Sequence, residues 1–194
     1  MTEVSINKQA RLSQHLTLSS VATLGQTSEL DGSRLSPHFT LGELCKTSAR
    51  TPDGNIPSHV HIENLKRLCG WLEELRRRSL TPNPSPKGEG NSMGEGSEYK
   101  EEPIIINSGY RSPQVNKAVG GAANSNHLTG CAVDIHVAGI EQLVRYAAIL
   151  LDISDERQED FDELLLERSP RGTYWLHFAV RPSGNRRKIK LIQT

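Results

Sequence analysis

A stretch rich in Pro, Gly, Ser and charged residues divides the foldable part of this 194-residue chain in two. Residues 79–100 read SLTPNPSPKGEGNSMGEGSEYK and contain almost nothing that could be buried. Connections of this length without secondary structure are uncommon inside a compact domain, and this composition is typical of disorder. We therefore expect a disordered insertion at 79–100, and a passive insertion is favoured over an active-site lid.

The first residues of the chain add a second region with little to bury. Residues 1–34 are polar and follow neither a helical nor a strand period, which predicts a flexible leader. Removing both regions leaves about 138 residues, 35–78 and 101–194. We expect these to form one domain, 35–194, interrupted by the insertion. The low hydrophobic fraction of 35% then partly reflects dilution.

Charge and composition argue against several classes of partner. Lys+Arg and Asp+Glu both number 23, so the chain lacks the basic surplus of a general nucleic-acid binder, and no nucleic acid is expected. No apolar run approaches the roughly 20 residues that cross a bilayer, so no membrane partner is expected. The N-terminus has no continuous apolar segment typical of a secretory signal. We expect a monomer made in the cytoplasm, and leave open its possible release to the cell wall by lysis or non-classical export.

The periodicity of the remaining residues predicts mixed α and β structure. Residues 60–78 place apolar side chains at helical spacing after a candidate N-cap, Ser58. The basic residues Arg186, Arg187, Lys188 and Lys190 are interpreted as a patch with compensating charge. The other predicted elements are a short helical turn within 37–45, a short helix from Pro113 to Gly120, a helix over 140–151, and strands over 104–106, 131–137, 161–167 and 174–180.

Two histidines and one aspartate carry the densest functional pattern. His127 is followed by Asp134 seven residues later, and His177 lies in a second strand-like segment. Two imidazoles and a carboxylate are a common protein ligand set for catalytic zinc, since three ligands leave an open position for water. Because side chains alternate along a strand, Asp134 shares a face with His136, and His177 shares one with Trp175. Neighbouring strands could then each offer one ligand.

The residues around these positions resemble a known family. The blocks S-G-Y-R-S, S-x-H-x-x-G-x-A-x-D and W-x-H occur in this order and resemble the D-Ala-D-Ala carboxypeptidase family of zinc peptidases, in particular its small single-domain branch. The family also includes L-Ala-D-Glu endopeptidases. The resemblance implies an α+β, Hedgehog/D,D-peptidase-like fold with a small antiparallel sheet and flanking helices. It also implies one Zn²⁺ per chain, held by His127, Asp134 and His177.

The resemblance also implies substrate-binding roles for three residues. Arg111 lies in the S-G-Y-R block, where the family's arginine binds substrate and polarises its carbonyl or carboxylate. The alternative for Arg111 is an ion pair with a buried carboxylate. Tyr110, from the same block, and Ser125, two residues before His127, are the further expected substrate contacts.

The catalytic base is the point where this chain departs from part of the family. Many members have Asp or Glu three residues before the last histidine, where this chain has Tyr174. The small branch resembles FDxLxxE instead, and residues 161–167 fit that form. Glu167 is therefore the expected base, and Glu163, on the same strand face, is the second candidate.

The function implied is that of a zinc metallopeptidase. It would hydrolyse peptide bonds in peptidoglycan stem peptides, as a D,D-carboxypeptidase or an endopeptidase, using metal-activated water, and a cell-wall peptide would be its partner. The alternative is a zinc-stabilised module that binds cell-wall peptide without cutting it. The missing carboxylate at Tyr174 motivates this alternative.

Overall fold

The computed structural model describes residues 32–82 and 99–193, which form helices around one main sheet. Residues 1–31 of the expected leader and 83–98 of the expected insertion lie outside the described residues. The elements, in chain order, are α1 (Leu41–Leu44), α2 (His59–Arg78), β1 (Leu80–Pro82), β2 (Tyr99–Glu101), β3 (Ile106–Ser108), α3 (Pro113–Ala118), a 3-10 helix (Asn126–Thr129), β4 (Ala132–His136), α4 (Ile140–Arg157), β5 (Glu163–Arg168), β6 (Tyr174–Ala179) and β7 (Lys188–Gln193).

The main sheet has five strands in the order β3-β4-β6-β5-β7. The pairs β3–β4, β4–β6 and β6–β5 are antiparallel, whereas β5 and β7 are parallel. The predicted α+β class is confirmed, but the expectation of a wholly antiparallel sheet is corrected to a mixed sheet. After β6 the chain reverses and passes the end of β5, where the Arg187 N–H donates to Phe161 O at 2.8 Å. This hydrogen bond joins the residues just before β7 and β5, and from there the two strands run in the same direction.

The alternation of side chains gives the sheet one apolar and one polar face. Val133 and Ile135 of β4 are buried in the core with residues of α2 and α4, while Asp134 between them faces the other way. Leu176 and Phe178 of β6 follow the same pattern around His177. The helices therefore cover one face and leave the other for a site. Among the described helices, none is long and apolar enough to span a membrane.

Helix α2 begins where the sequence predicts. The Ser58 hydroxyl accepts from the His61 N–H, and the His61 ring accepts from the Ser58 N–H, so the two side chains form a capping box. Leu65, Leu68 and Leu72 recur at helical spacing and are fully buried against the sheet. The predicted N-cap and the buried stripe are both confirmed.

The bounds of two predicted elements differ from the structure, and one strand was not predicted. Helix α4 continues to Arg157 rather than ending at 151, because Ile153 extends its buried stripe. Strand β3 covers 106–108 rather than 104–106, because a register shift after Ile106 brings Ser108 opposite Asp134. Strand β7 was not predicted, although apolar residues alternate with Lys188 and Lys190 there.

The ends of the expected insertion are joined by a short ladder. Strands β1 and β2 pair antiparallel, with Leu80 opposite Glu101 and Pro82 opposite Tyr99. The outer residues of the 79–100 segment are therefore strands. The segment that leaves α2 and the segment that returns to β3 therefore lie side by side.

We expect Gly109→Ala to destabilise the fold. A Cβ at Gly109 would lie 2.2 Å from the backbone oxygen of Leu44, which α1 fixes in place. Overpacking of this kind costs about 1–3 kcal/mol in the free energy of unfolding, measurable by urea titration. The control is Gly70→Ala in α2, where a Cβ would meet nothing within 4 Å. That change should stabilise the helix by about 0.5–1 kcal/mol. Equal effects of both changes would contradict the contact at Gly109.

We expect Glu74→Gln to reduce stability at neutral pH and to have less effect in acid. Hydrogen bonds from Arg77 and Arg78 lower the pKa of Glu74 from its ordinary 4.5 to about 2. A depressed pKa stabilises the fold above the ordinary value, and this contribution is lost as the pH falls from 4.5 toward 2. The difference between variant and wild type in urea unfolding should be up to about 1 kcal/mol at pH 7. A difference that stays constant down to pH 2.5 would contradict this, because pH 2.5 lies near the lower end of the window, where most of the contribution should be lost.

Candidate metal centre

Three side chains from different elements bring their ligand atoms together on the polar face of the sheet. His127 lies on the 3-10 helix, while Asp134 and His177 are direct cross-strand partners on β4 and β6. The His177 Nδ1 lies 2.9 Å from Asp134 Oδ1. The His127 Nε2 lies 3.2 Å from that oxygen and 3.3 Å from His177 Nδ1. All three residues are buried, so the cluster predicted from the sequence is brought together in the structure.

The backbone fixes the orientation of the His127 ring. Its Nδ1 lies 2.6 Å from the Gly109 carbonyl oxygen. A carbonyl can only accept, so Nδ1 carries the proton and Nε2 presents a lone pair to the cluster. The Ser125 hydroxyl accepts from the His127 N–H at 3.3 Å and caps the 3-10 helix. Gly130 ends that helix at φ 70°, where a Cβ would lie 2.7 Å from the His61 oxygen.

Arg111 binds the oxygen of Asp134 that faces away from the histidines. One Nη of Arg111 donates to Asp134 Oδ2, and its Nε donates to the Ser108 hydroxyl at 2.8 Å. The ion pair with a buried carboxylate, which the sequence left as the alternative for Arg111, is therefore present. Arg111 also lines the cleft described below, and its Nη1 makes no hydrogen bond to any described residue.

The second nitrogen of His177 faces another carboxylate. Its Nε2 is buried, makes no aligned hydrogen bond to the described residues, and lies 3.5 Å from Glu163 Oε2. Each nitrogen of the His177 ring therefore has a carboxylate nearby: Asp134 at Nδ1 and Glu163 at Nε2.

The electrostatics of the cluster follow from burial and from these partners. Burial lowers the pKa of His127. Burial also opposes a charge on His177, but the hydrogen bond to Asp134 and the nearby Glu163 outweigh it and raise the pKa of His177 to about 9. Although burial opposes ionisation, the two imidazoles hold the pKa of Asp134 well below its usual range. Asp134 is thus an anion at neutral pH.

This donor set fits a divalent metal ion such as zinc. His127 Nε2 and Asp134 Oδ1 are both acceptors and lie 3.2 Å apart, an arrangement that a shared cation stabilises. Ligand atoms bound to zinc at about 2.0–2.1 Å in a tetrahedron are separated by about 3.3 Å, close to the spacing here. Two neutral imidazoles and one carboxylate would leave a bound Zn²⁺ with net positive charge.

The cluster lies in a cleft of about 870 Å³, and Glu167 lines the same cleft. Glu167 is on β5 opposite Trp175, and both are half-buried. Burial raises the pKa of Glu167. Glu167 has no hydrogen-bond or ion-pair partner among the side chains that the structure describes. Tyr174, at the position where the resemblance led us to expect a carboxylate, packs against the core with the Arg168 guanidinium 5.7 Å from its ring centroid.

The structure separates the other two expected substrate contacts. Ser125 lines the cleft as well as capping the 3-10 helix. Tyr110 instead is buried in the core and stacks on His61 at 4.7 Å between ring centroids, away from the residues that line the cleft. The sequence did not indicate which of Tyr110 and Arg111 would be buried, because both lie in a loop, where side chains follow no regular period.

The sequence analysis did not single out Asn126 and Asp162, which lie beside Glu163. Asn126 Nδ2 donates to Asp162 Oδ2 at 2.7 Å and to Glu163 Oε2 at 3.1 Å. Arg186 binds both Asp162 and Glu163, and Lys188 binds Glu163. These pairs confirm compensating charge for Arg186 and Lys188. Asn126 directly precedes the candidate ligand His127, and this position is the sequence signal that could have identified Asn126.

We expect the protein to bind one Zn²⁺ per chain and His177→Ala to weaken binding at least about 100-fold, since loss of a ligand should exceed the 10–100-fold loss typical of its outer partners. Metal analysis gives the stoichiometry, and competition with a chromogenic chelator gives the affinity. His136→Ala is the matched control, because His136 is an exposed histidine two residues from Asp134 on β4. Equal zinc affinity of the two variants would contradict the assignment of His177.

Comparison with known proteins supports the resemblance found in the sequence. The family model described as Peptidase M15 matches residues 92–157, about a third of the chain. The matched segment contains Arg111, His127 and Asp134, and it ends before Glu167 and His177. A comparison with curated proteins gave no match. Over residues 92–157, therefore, the chain is similar to the Peptidase M15 family of zinc D-Ala-D-Ala carboxypeptidase-like peptidases.

Proposed function

We propose that this protein is a zinc peptidase that hydrolyses peptide bonds in peptidoglycan stem peptides, on a Hedgehog/D,D-peptidase-like fold. The observation that carries the proposal is the convergence of His127, Asp134 and His177 in a cleft that Glu167 also lines. The family match supports a peptidase, and the donor set supports a metal-dependent one. The choice of cell-wall peptide as substrate rests on the family alone.

His127, Asp134 and His177 would hold the metal. When bound, zinc would act as a Lewis acid that polarises the scissile carbonyl and makes water more acidic. The protein contributes a fixed set of donors: the Gly109 carbonyl orients His127, and Arg111 holds the outer oxygen of Asp134. These contacts keep the ligand atoms in place before substrate arrives.

Glu167 would be the general base. Its carboxylate would accept the proton of the attacking water and return it to the leaving nitrogen of the peptide bond. Two observations support Glu167 over Glu163. Burial raises the pKa of Glu167 toward the range useful for proton transfer, although the nearby His177 and Arg111 oppose the shift, and no described cation forms an ion pair with it. Glu163 instead contacts Arg186 and Lys188.

Arg111 and Ser125 would contact the substrate. A guanidinium suits a carboxylate or a developing oxyanion, and the Nη1 of Arg111 keeps donors that Asp134 and Ser108 do not use. Ser125 lines the cleft next to the first histidine. Tyr110 has no part in this proposal because it is buried in the core.

A second candidate function is a zinc-stabilised module that binds cell-wall peptide without cutting it. The observation that favours it is Tyr174, an aromatic residue packed against the core at the position where many relatives have an acidic residue. If Glu167 does not serve as base, this cleft would bind peptide and metal without hydrolysis.

We expect the wild-type protein to cleave at least one member of a muropeptide panel and Glu167→Gln to lower kcat by about 10²–10⁴-fold, because proton transfer by a positioned carboxylate contributes that much. The panel contains D-Ala-D-Ala, L-Ala-D-Glu and cross-linked peptides, with products read by mass spectrometry. Chelator should abolish cleavage and added Zn²⁺ should restore it.

The variant's zinc content is the control, since Glu167→Gln should bind Zn²⁺ like the wild type. Full activity of this variant would remove Glu167 from the mechanism. Binding of a panel member without cleavage by zinc-loaded wild type would favour the binding module.

A further inference from the structure

We propose that Glu163 is a positioning residue, which holds the His177 ring so that Nδ1 rather than Nε2 faces the metal cluster. The proposal rests on the proposed zinc site, and it assigns Glu163 a role other than base. It derives from the contacts of the His177 ring and of the Glu163 carboxylate, taken in turn below.

The His177 ring has two nitrogens with different surroundings. Nδ1 lies 2.9 Å from Asp134 and 3.3 Å from His127 Nε2, inside the cluster. Nε2 is buried, lies 3.5 Å from Glu163 Oε2, and has no aligned hydrogen bond to a described residue. A buried N–H without a partner is costly, so a carboxylate on this side favours the tautomer with its proton on Nε2. That tautomer leaves the Nδ1 lone pair for a metal.

The Glu163 carboxylate is fixed by donors at both oxygens. Oε1 accepts from Lys188 Nζ at 2.8 Å and from Arg186 Nη2 at 2.9 Å. Oε2 accepts from Asn126 Nδ2 at 3.1 Å and faces His177. A carboxylate offers about four lone-pair sites, of which three accept hydrogen bonds here and the fourth faces the His177 ring. Glu163 is therefore held in place and has no free oxygen for an attacking water.

Glu167 provides a contrast on the same strand face. Both glutamates flank Leu165, which lies opposite His177 in the register of β5 and β6. Glu163 forms ion pairs with Arg186 and Lys188, while Glu167 forms none with the side chains that the structure describes. Glu163 and Glu167 thus have different surroundings, although each lies two residues from Leu165. We therefore expect them to have different functions.

Asn126 links the same carboxylate to the first histidine. It directly precedes His127 on the 3-10 helix, and its amide donates to Glu163 and to the fully buried Asp162. Glu163 thereby contacts His177 directly and contacts the turn that carries His127. Movement of this one carboxylate would disturb two of the three ligands.

The test compares Glu163→Ala with Glu167→Gln in zinc affinity, measured by chelator competition. Loss of the partner of a ligating histidine typically weakens metal binding about 10–100-fold, and we expect this for Glu163→Ala. Glu167→Gln should change zinc affinity by less than about 3-fold, well below that range. A Glu163→Ala variant that binds Zn²⁺ as tightly as wild type would overturn the proposal. Wild-type protein that binds no Zn²⁺ would overturn the proposed function instead.

A second measurement needs no variant, in case Glu163→Ala does not fold. Imidazole nitrogen NMR of the zinc-loaded wild type should show His177 protonated at Nε2 and unprotonated at Nδ1. The Nε2 proton should exchange slowly with solvent because it is buried against Glu163. Coordination through Nε2, or an Nε2 proton that exchanges as fast as that of the exposed His136, would contradict the role given to Glu163.

Discussion

The register between β4 and β6 is the constraint on which the rest of the site depends. It places Asp134 directly opposite His177, and side chains directly opposite each other are close enough to share one ion. A slip of one residue would turn one of the two into the apolar core and bring a residue such as Leu176 to the cleft. The apolar neighbours that fix the register, Val133 and Phe178, thereby also fix the site.

The two buried aspartates near the cleft, Asp134 and Asp162, each have cationic partners. Asp134 faces Arg111 on one side and the imidazoles on the other, while Asp162 accepts from Arg181 and Arg186. Removing one member of a buried pair leaves the other charge without compensation and costs about 3–5 kcal/mol. The polar face of the sheet is therefore a preorganised arrangement of charges, which a binding or catalytic site requires.

The sequence predicted the parts of the site that local patterns determine. Alternation along β4 and β6 placed Asp134 and His177 on one face, and Ser58 marked the start of α2. The remaining features depend on contacts between distant segments. Arg111 pairs with Asp134, 23 residues further along the chain, and Tyr110 stacks on His61 from α2. No periodicity in a single segment could reveal these contacts.

Strand β7 makes the site depend on a late part of the chain. Arg186 and Lys188 bind Glu163, yet they are synthesised after all three candidate ligands. Until β7 has docked in parallel on β5, Glu163 lacks two of its cationic partners and is free to adopt other rotamers. Without β7, therefore, the chain has its two histidines and its aspartate but lacks the cations that fix Glu163 beside His177. Docking of β7 and capture of the metal should accordingly be coupled steps in maturation.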